Sequence, residues 1–451
     1  KVTAADSYLP PDNFQLSPAE ITAHRTSPTN IGLYLLSCAA AKDFGFITLS
    51  ELISRLKNAI DSIEKMQKWN GHLYNWYNTQ TLDILGSPYV STVDSGNFIT
   101  CLVALYYSLD DYDDGTRRIS ELSARIAKLI SETDFSPLFD KRKKLFRIGI
   151  STASGEVGEG CYDIFISEAR TTSYYAIASG QVPREHWSRL SRPLISRDGY
   201  IGLASWTGTM FEYMMPALLL PTRFGSLSYE ALSFAVREQK ADSTSGVWGR
   251  SESGYFMFDP DLNYQYKAFG AASLGMKRGL EKDNVISPYS SFLCLCISPG
   301  AVLENLKNLK NLGMYGQYGF YEALDFTPAR VGKGYAIIRS YMSHHIGMSM
   351  ISCANACFGG VFVKRFMKSP EMASSAELLE EKIPINADIA KHIIRRKNTA
   401  YHPLSRNQVS RIIKTDHSPS PAMPYASVIS ENGITVTGSL DILKFSESIY
   451  R

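Results

Sequence analysis

Apolar residues recur at helical spacing through most of this 451-residue chain. Thr48 and Glu51 match a capping box, and apolar residues then follow every three or four positions through residues 49–63. A second stripe covers 119–130. Similar stripes occur at 30–42, 97–109, 163–179, 200–218, 227–240, 286–297, 299–312, 334–357 and 372–382. This pattern of roughly a dozen helices with few strand-like alternations predicts an all-α fold.

Some of these segments are apolar on most sides, as in 335–356, whereas others are apolar on one face. Because a helix that is apolar all round is buried all round, we expect an inner layer of helices wrapped by an outer one. An α/α toroid, a ring of helical hairpins, satisfies such a helix count. The loops at one end of a toroid form a concave site.

The chain changes character toward both ends. Residues 1–27 carry prolines and turn residues, which predict an extended N-terminal segment ahead of a helical domain at 28–385. Residues 386–451 combine Ser-Pro repeats with alternating patterns at 426–429 and 434–442. We therefore expect a linker and a short β-rich C-terminal tail, which either packs on the helical body or begins a further β domain.

Charge, hydropathy and cysteine usage narrow the class of protein. A net charge of +3 without a basic block argues against nucleic-acid binding. No apolar run reaches the ~20 residues of a membrane span, so we expect no direct membrane insertion by this chain. Seven cysteines, an odd number, are typical of reduced thiols and a cytoplasmic location. Cys294/Cys296 and Cys353/Cys357 lie in apolar segments and are interpreted as buried side chains, not metal ligands.

Two glutamates lie in aromatic, glycine-punctuated loops, Glu252 within 248–255 and Glu322 within 318–326. Aromatic faces stack on sugar rings, and an apolar wall raises the pKa of a carboxyl group toward neutrality. Glycosidases need one carboxyl group that donates a proton and another that attacks or activates water. We predict that Glu252 and Glu322 share this work. An N-cap or a buried ion pair is the structural alternative, and the spacing defines neither the individual roles nor a retaining or inverting outcome.

Other charged residues are secondary candidates. Glu212 lies in a nearly unbroken apolar helix, so it must be paired, protonated or facing a cavity, and it is the reserve catalytic residue. Glu168 could approach Arg170, although an N-cap or ion pair is the favoured interpretation of that glutamate and of Asp94. The cation of Arg250 is expected to lower the pKa of Glu252.

His344 and His345 are predicted in the middle of a helix, where adjacent side chains point about 100° apart and cannot easily share a metal. One is expected to face the cavity, and a core histidine is the alternative. P-loop, dinucleotide and Gly-x-Ser-x-Gly patterns are absent from the sequence, so we expect neither a cofactor nor a metal.

The predicted substrate-binding residues are aromatic side chains that can stack on sugars and polar ones that can pair with vicinal hydroxyls. They are Trp76, Tyr77, Asp94, Arg170, Trp248, Arg250, Tyr255, Tyr318, Phe320, Tyr321, His344 and His345. Turn chemistry and core packing explain the same residues almost as well.

Several motifs follow one another in a fixed order between residues 14 and 385. They are RTSPTNIG (25–32), YNWY (74–77), VSTVDSGN (90–97), SEAR (167–170), GTMFEY (208–213), SESGY (251–255), GFYEA (319–323) and HHIGM (344–348). As an ordered set they resemble the central glycoamylase-like domain of bacterial cyclic β-1,2-glucan synthases. The resemblance implies an (α/α)6 barrel that acts on β-1,2-glucan.

The same resemblance implies a larger, multidomain, membrane-associated synthase as the parent protein, at the cytoplasmic face of the inner membrane. The tail would then begin a sugar-phosphorylase β-sandwich. Transglycosylation that closes a glucan ring is the first functional hypothesis. Endo-β-1,2-glucanase activity, seen in related stand-alone domains, is the second, and a non-catalytic carbohydrate-binding domain is the third.

Overall fold

The computed structural model describes residues 7–153, 155, 158 and 160–382, together with the backbone of 425–429 and 435–439. Helices are the main elements. The α-helices of this part of the chain are α1 (Pro28–Asp43), α2 (Leu49–Lys65), α3 (Thr92–Asp111), α4 (Arg117–Ser131), α5 (Arg170–Ala178), α6 (Glu185–Arg189), α7 (Met210–Met214), α8 (Leu227–Ala241), α9 (Pro288–Leu293), α10 (Pro299–Asn311), α11 (Pro328–Val331), α12 (Ser343–Cys357), α13 (Val361–Met367) and α14 (Pro370–Ser374).

The helices form a buried set and a peripheral set. Helices α1 and α3 bury most of their side chains, and α1 packs against both α3 and α12. Helices α2 and α4 instead bury one apolar face, and they contact each other and the inner pair. The side chains of Thr48 and Glu51 form the predicted capping box at the start of α2.

Short strands occupy the connections between helices. They are β1 (Asn13–Gln15), β2 (Ile21–Thr22), β3 (Arg25–Thr26), β4 (Lys68–Trp69), β5 (His72–Leu73), β6 (Tyr77–Asn78), β7 (Tyr89–Ser91), β8 (Phe139–Asp140), β9 (Leu145–Arg147), β10 (Gly149–Ser151), β11 (Cys161–Tyr162), β12 (Leu194–Arg197), β13 (Tyr200–Leu203), β14 (Glu252–Phe258), β15 (Tyr264–Ala268), β16 (Val285–Ile286), β17 (Tyr315–Gly316), β18 (Gly319–Phe320), β19 (Ala323–Asp325), β20 (Ala336–Ile338), β21 (Ser340–Met342), β22 (Tyr425–Ile429) and β23 (Thr435–Ser439).

The expectation of an all-α fold is therefore correct only in part, because the structure is 46% helix and 19% strand. Most of these strands are two or three residues long and pair within loops. Segments so short do not leave a period-two alternation in the sequence, so hydrophobic pattern does not reveal them.

Two predicted helices begin as strands. In 200–218 the chain forms β13 and then a loop, in which Gly208 has a φ of +71°, before α7 begins at Met210. In 334–357 strands β20 and β21 precede α12. A short, continuous apolar run fits a buried strand as well as a buried helix, which explains the second error.

The N-terminal strand β1 lies between β2 and β21, in antiparallel register with both. The Ser343 amide N–H also donates to the carbonyl oxygen of Asp12 at 2.9 Å. The N-terminal segment thus fixes the backbone at the start of α12. Strands β22 and β23 form an antiparallel hairpin in the predicted tail, while the linker at 386–424 and the boundary at 385 lie outside the described residues.

Among the described helices, none alone has the length and apolar composition of a membrane span. Helices α12 and α13 reach that length and composition only when taken together, with a bend of 93° between them.

Close packing of α3 against α5 depends on Gly96. A Cβ at Gly96 would lie 1.8 Å from Thr172 Oγ1 and 2.5 Å from Thr172 Cβ. Alanine normally favours a helix over glycine, but here we expect Gly96→Ala to lower the free energy of unfolding by about 1–3 kcal/mol through overpacking. Chemical denaturation measures this change. The control is Gly300→Ala in α10, where a Cβ meets nothing within 4 Å, and an equal loss in both variants would contradict the packing account.

Candidate active site

Acidic side chains from distant parts of the chain lie where structural elements begin. Asp94 is in the first turn of α3, Glu212 is in the first turn of α7, and Glu168 lies two residues before α5. Glu252 opens β14, and Glu322 directly precedes β19. The loops and helix starts at which these residues lie therefore supply the carboxyl groups of the candidate site.

Glu252 has the environment of a carboxyl group that titrates near neutrality. Burial raises its pKa to about 7, and the charges of Glu212 and Asp94 act in the same direction. The Tyr266 hydroxyl lies 3.2 Å from Glu252 Oε2 and opposes this shift by donating to the ionised form. Glu252 stays partly exposed, so a ligand can reach it.

Glu168 belongs to the same group of carboxyls. Its pKa is raised to about 8, chiefly by burial and also by the charges of Glu212 and Glu252. Ser167 Oγ donates to Glu168 Oε2 at 3.3 Å, and the residue is partly exposed. The sequence interpretation of Glu168 as a structural residue missed this proximity. Only its place within the SEAR motif, among the ordered motifs, could have indicated it.

Glu212 is held by donors on every side. Its Oε2 accepts hydrogen bonds from Ser205 Oγ at 2.8 Å, Thr207 Oγ1 at 2.6 Å and Thr209 Oγ1 at 3.1 Å. The Thr207 and Thr209 amides also donate to the carboxylate. It is the N3 residue of a capping box at the start of α7, so its predicted position inside a long helix is wrong. Hydrogen-bond donors from three residues therefore hold this carboxyl group in one position.

Glu322 lies in a different setting from Glu252. It is 5% exposed and accepts from the Gly254 amide at 3.1 Å through Oε1. Both of its oxygens are 3.0 Å from His345 Nδ1. Burial raises the pKa of Glu322 to about 8. Glu322 thus faces an imidazole and the backbone of the neighbouring strand.

His344 and His345 occupy the first turn of α12, so the prediction that they lie mid-helix is wrong. His344 Nδ1 lies 3.0 Å from Asn30 Oδ1, while the ring of His345 stacks on Tyr289 with 3.6 Å between centroids. Burial lowers the pKa of both histidines, to about 3 for His344 and far below the usual value for His345. Both rings are therefore neutral.

Arg250 points away from Glu252. Its guanidinium pairs with Asp242 at 2.9 Å and donates to the carbonyl oxygen of Asp283 at 2.8 Å. The expectation that this cation lowers the pKa of Glu252 is wrong, because the guanidinium is engaged by Asp242 and Asp283, and burial raises the pKa of Glu252.

Asp94 and Arg170 have buried surroundings. Thr29 Oγ1 donates to Asp94 Oδ1 at 2.6 Å, and burial raises the pKa of Asp94. The guanidinium of Arg170 lies 5.0 Å from the ring centroid of Phe165, and burial lowers its pKa to about 10. No ion pair joins Arg170 to Glu168 in the described part of the chain.

The predicted aromatic contacts separate into core and surface residues. Tyr77 is fully buried with its hydroxyl on the Gln67 carbonyl, and Trp248 is 5% exposed in the main core. Packing therefore accounts for both. Arg25 covers one face of Trp76 at 5.1 Å, and Arg330 lies 4.9 Å from the Tyr255 ring centroid.

The aromatic residues within 318–321 are neighbours that differ in exposure. Tyr318 is 59% exposed, whereas Phe320 and Tyr321 are partly buried in a small core cluster. Tyr318 and Tyr321 both contact Tyr341, at 5.7 Å and 5.5 Å between centroids.

Trp206 is a candidate that the sequence predictions left out. Its side chain is 56% exposed and directly precedes Thr207, which binds Glu212. The Lys277 amide donates to the carbonyl oxygen of Trp206 at 2.9 Å, so the backbone of this loop is anchored. An exposed indole on an anchored loop is a suitable platform for a sugar ring.

No group of three or more His, Cys, Asp or Glu side chains in the described residues could hold a metal ion. Of the four cysteines interpreted as buried, Cys294 is buried, Cys353 is partly exposed, and Cys296 and Cys357 are exposed. The interpretation of these thiols as core side chains is therefore correct for Cys294 alone.

Comparison with known proteins finds a matching family model and a related synthase. The family model "Glycoamylase: Putative glucoamylase" matches residues 164–370. The cyclic β-(1,2)-glucan synthase NdvB of Rhizobium meliloti (strain 1021) is 32% identical over 509 aligned positions, which cover 85% of this chain and 18% of that protein. The chain thus spans less than a fifth of this relative's length.

Two solved structures share the fold. An endo-β-1,2-glucanase from Chitinophaga pinensis, in complex with sophorotriose and glucose, has a TM-score of 0.68 at 16% identity and covers 83% of this chain and 93% of its own. An endo-β-1,2-glucanase from Talaromyces funiculosus with sophorose has a TM-score of 0.66 at 16% identity, covering 83% and 84%. Structures of this kind are (α/α)6 toroids.

The hydrogen bonds of Glu212 generate a stability prediction. In Glu212→Gln an amide N–H₂ must face hydroxyl and amide donors, so we expect the free energy of unfolding to fall by about 1–3 kcal/mol. Thermal and chemical denaturation measure the loss. Glu51→Gln is the control, because Glu51 makes the same capping contact at an exposed helix start where water can compensate, and we expect a loss below about 1 kcal/mol there. Equal losses would contradict the role of Glu212 as a buried hydrogen-bond acceptor.

Proposed function

This chain contains a glycoamylase-like domain related to that of a cyclic β-(1,2)-glucan synthase, and we propose that it cleaves and rejoins β-1,2-glucan by transglycosylation. The observation that carries the proposal is the pairing of Glu168 with Glu252. Both are partly exposed, both have a raised pKa, and each lies within the electrostatic influence of Glu212. Glycoside cleavage by two carboxyl groups requires one group that donates a proton and one that is ionised, and this pair can supply both.

The two carboxyl groups differ in how firmly they hold a proton. The pKa of Glu168 is about 8 and that of Glu252 is about 7, so Glu252 ionises first. Tyr266 favours this order because its hydroxyl donates to Glu252. We assign Glu168 as the acid that protonates the leaving glycosidic oxygen, and Glu252 as the carboxylate that attacks the anomeric carbon.

The reaction then follows a double displacement. Glu252 forms a glycosyl ester as the bond to the leaving oxygen breaks and Glu168 gives up its proton. Glu168, now ionised, removes a proton from an incoming sugar hydroxyl, which displaces Glu252 and restores the starting state. When the incoming hydroxyl belongs to the same chain, the product is a ring.

The charge of Glu212 acts on both members of this pair. Its charge raises the pKa of both Glu168 and Glu252, which keeps a proton on Glu168 at neutral pH. The reserve assignment of Glu212 as a reacting group is thereby replaced by an electrostatic role, because its oxygens are occupied by donors.

Exposed aromatic side chains near the carboxyls support a polysaccharide substrate. Trp206 lies beside the Glu212 loop, and Tyr266 reaches Glu252 directly. The side-chain amide of Asn75 is oriented so that its nitrogen donates to Asp94 and its oxygen accepts from Trp76 Nε1. Trp76 therefore lies close to Asp94, whose charge acts on Glu252. Sugar rings can stack on such faces while the charged groups act on the linkage.

The second candidate is an endo-β-1,2-glucanase, in which water displaces Glu252. The fold shared with two glucanases favours it, and the 32% identity to a synthase favours transglycosylation. A non-catalytic binding domain is the third candidate. The retention of both carboxyl groups with raised pKa values argues against it.

The chain matches only a small part of a much longer relative. Because it covers 18% of its curated relative, we propose that it serves as one domain of a multidomain, membrane-associated synthase. We propose that this domain works at the cytoplasmic face of the inner membrane and has the (α/α)6 arrangement of the shared fold.

Product analysis on linear β-1,2-glucan tests the activity. We expect products lighter than the linear chain by one water, with no rise in reducing ends. Glu168→Gln and Glu252→Gln should each lower the rate by at least about 100-fold with an unchanged melting temperature. Short linear products with rising reducing ends would establish the hydrolase instead. Full activity in either Gln variant would contradict the assigned pair.

The carboxyl pair also predicts the pH profile of kcat/KM. Activity requires ionised Glu252 and protonated Glu168, so it should rise as pH passes about 7 and fall as pH passes about 8. The optimum is then narrow and slightly alkaline. An optimum near pH 5 would show that the pair is not held at these pKa values.

A further inference from the structure

A line of hydrogen-bonding groups connects buried Glu322 to Glu252. His345 Nδ1 lies 3.0 Å from both oxygens of Glu322, and His345 Nε2 lies 3.3 Å from the Tyr266 hydroxyl. The same hydroxyl lies 3.2 Å from Glu252 Oε2. Stacking on Tyr289 fixes the plane of the His345 ring, so these contacts form one continuous path.

The surroundings of Glu322 favour its neutral form. The residue is 5% exposed, and within the described residues its one ion-pair contact is the neutral imidazole of His345. A buried carboxylate without a cation is costly, so Glu322 keeps its proton. The Gly254 amide donates to Oε1, which leaves the proton on Oε2 and directs it toward His345 Nδ1.

This arrangement fixes the direction of every donor in the path. Neutral His345 accepts at Nδ1, so it carries its proton on Nε2 and donates to the oxygen of Tyr266. Tyr266 must then direct its own proton elsewhere, and Glu252 Oε2 is the nearest acceptor. The path therefore ends with a donor aimed at the carboxylate.

The neighbouring His344 provides the competing acceptor. Asn30 Nδ2 donates to Asp12 Oδ1 at 3.1 Å, so Asn30 Oδ1 accepts from His344 Nδ1. His344 Nε2 is consequently an acceptor, 3.4 Å from the Tyr266 hydroxyl. An ionised Glu252 is both closer and the stronger acceptor, so it holds the Tyr266 proton.

We propose that Glu322, His345 and Tyr266 are positioning residues that hold Glu252 as an anion through this one-directional line of donors. The inference rests on the proposed role of Glu252 as the attacking carboxylate. It also replaces the predicted role of Glu322 as a reacting group, because the buried carboxyl makes its contacts with His345 and Gly254 instead. When Glu252 becomes a glycosyl ester and loses its charge, the Tyr266 proton can turn to His344 Nε2.

Other charges also act on Glu252. Glu212 and Asp94 raise its pKa, and Glu252 and Glu168 repel each other when both are ionised. Tyr266 is the side chain that favours the anion, so its removal has a defined sign. In Tyr266→Phe the pKa of Glu252 rises, and the acidic limb of the pH profile should move about one to two pH units higher.

Substitutions of Glu322 separate a neutral donor from a reacting carboxylate. In Glu322→Gln the amide oxygen can accept from Gly254 and the amide N–H₂ can donate to His345, so we expect kcat within about tenfold of the wild-type value. In Glu322→Leu the donor is lost, and the acidic limb should move as it does in Tyr266→Phe. Tyr264→Phe, in the same strand but outside this path, is the control and should leave the limb in place.

Each of these measurements has an outcome that would overturn the proposal. A loss of kcat in Glu322→Gln as large as that in Glu252→Gln would overturn the proposal. An unchanged acidic limb of the pH profile in Tyr266→Phe would overturn it as well.

The ¹⁵N NMR spectrum of substrate-free protein gives a test that does not need activity. We expect the His345 signal, identified by its loss in His345→Gln, to show the proton on Nε2. A proton on Nδ1 would overturn the inference, whereas inactivity toward β-1,2-glucan with the expected tautomer would count against the proposed function alone.

Discussion

The cost of placing carboxyl groups in a poorly solvated region governs the candidate site. The structure meets this cost differently at each position. Glu212 is surrounded by hydroxyl and amide donors, whereas Glu322 lies beside a neutral histidine and we infer that it keeps its proton. Glu168 and Glu252 have few donors and feel the charge of Glu212, so their pKa values move toward neutrality. Glu168 and Glu252 combine a raised pKa with partial exposure, which is why we propose them as the reacting pair.

Helix starts and short strands bring these groups together. The capping box of α7 fixes Glu212, and the pairing of β14 with β15 sets Glu252 beside Tyr266. The N-terminal strand β1 pairs with β21 and so fixes the start of α12, where His344 and His345 lie. The inner helices provide a rigid base, and the connecting segments carry the chemistry.

Sequence patterns predicted the helices better than the site. Stripes such as 119–130 closely matched α4, because one buried face imposes a helical period. The two-residue strands leave no such period. The aromatic, glycine-rich loop made Glu252 a candidate from the sequence, but the electrostatic influence of Glu252 on Glu168 acts between residues 84 positions apart in the numbering, which spacing does not encode. The direction of Arg250 and the burial of Tyr77 and Trp248 likewise depend on packing.

Trapping the glycosyl ester tests the central claim most directly. In Glu168→Gln, an aryl glycoside of a β-1,2-linked glucan oligosaccharide can still react, because a phenolate leaves without a proton, whereas breakdown of the ester is slow. Mass spectrometry of the denatured protein should show an added glycosyl group on the peptide that contains Glu252. A group attached to Glu322, or release of product with inverted anomeric configuration and no adduct, would contradict the account.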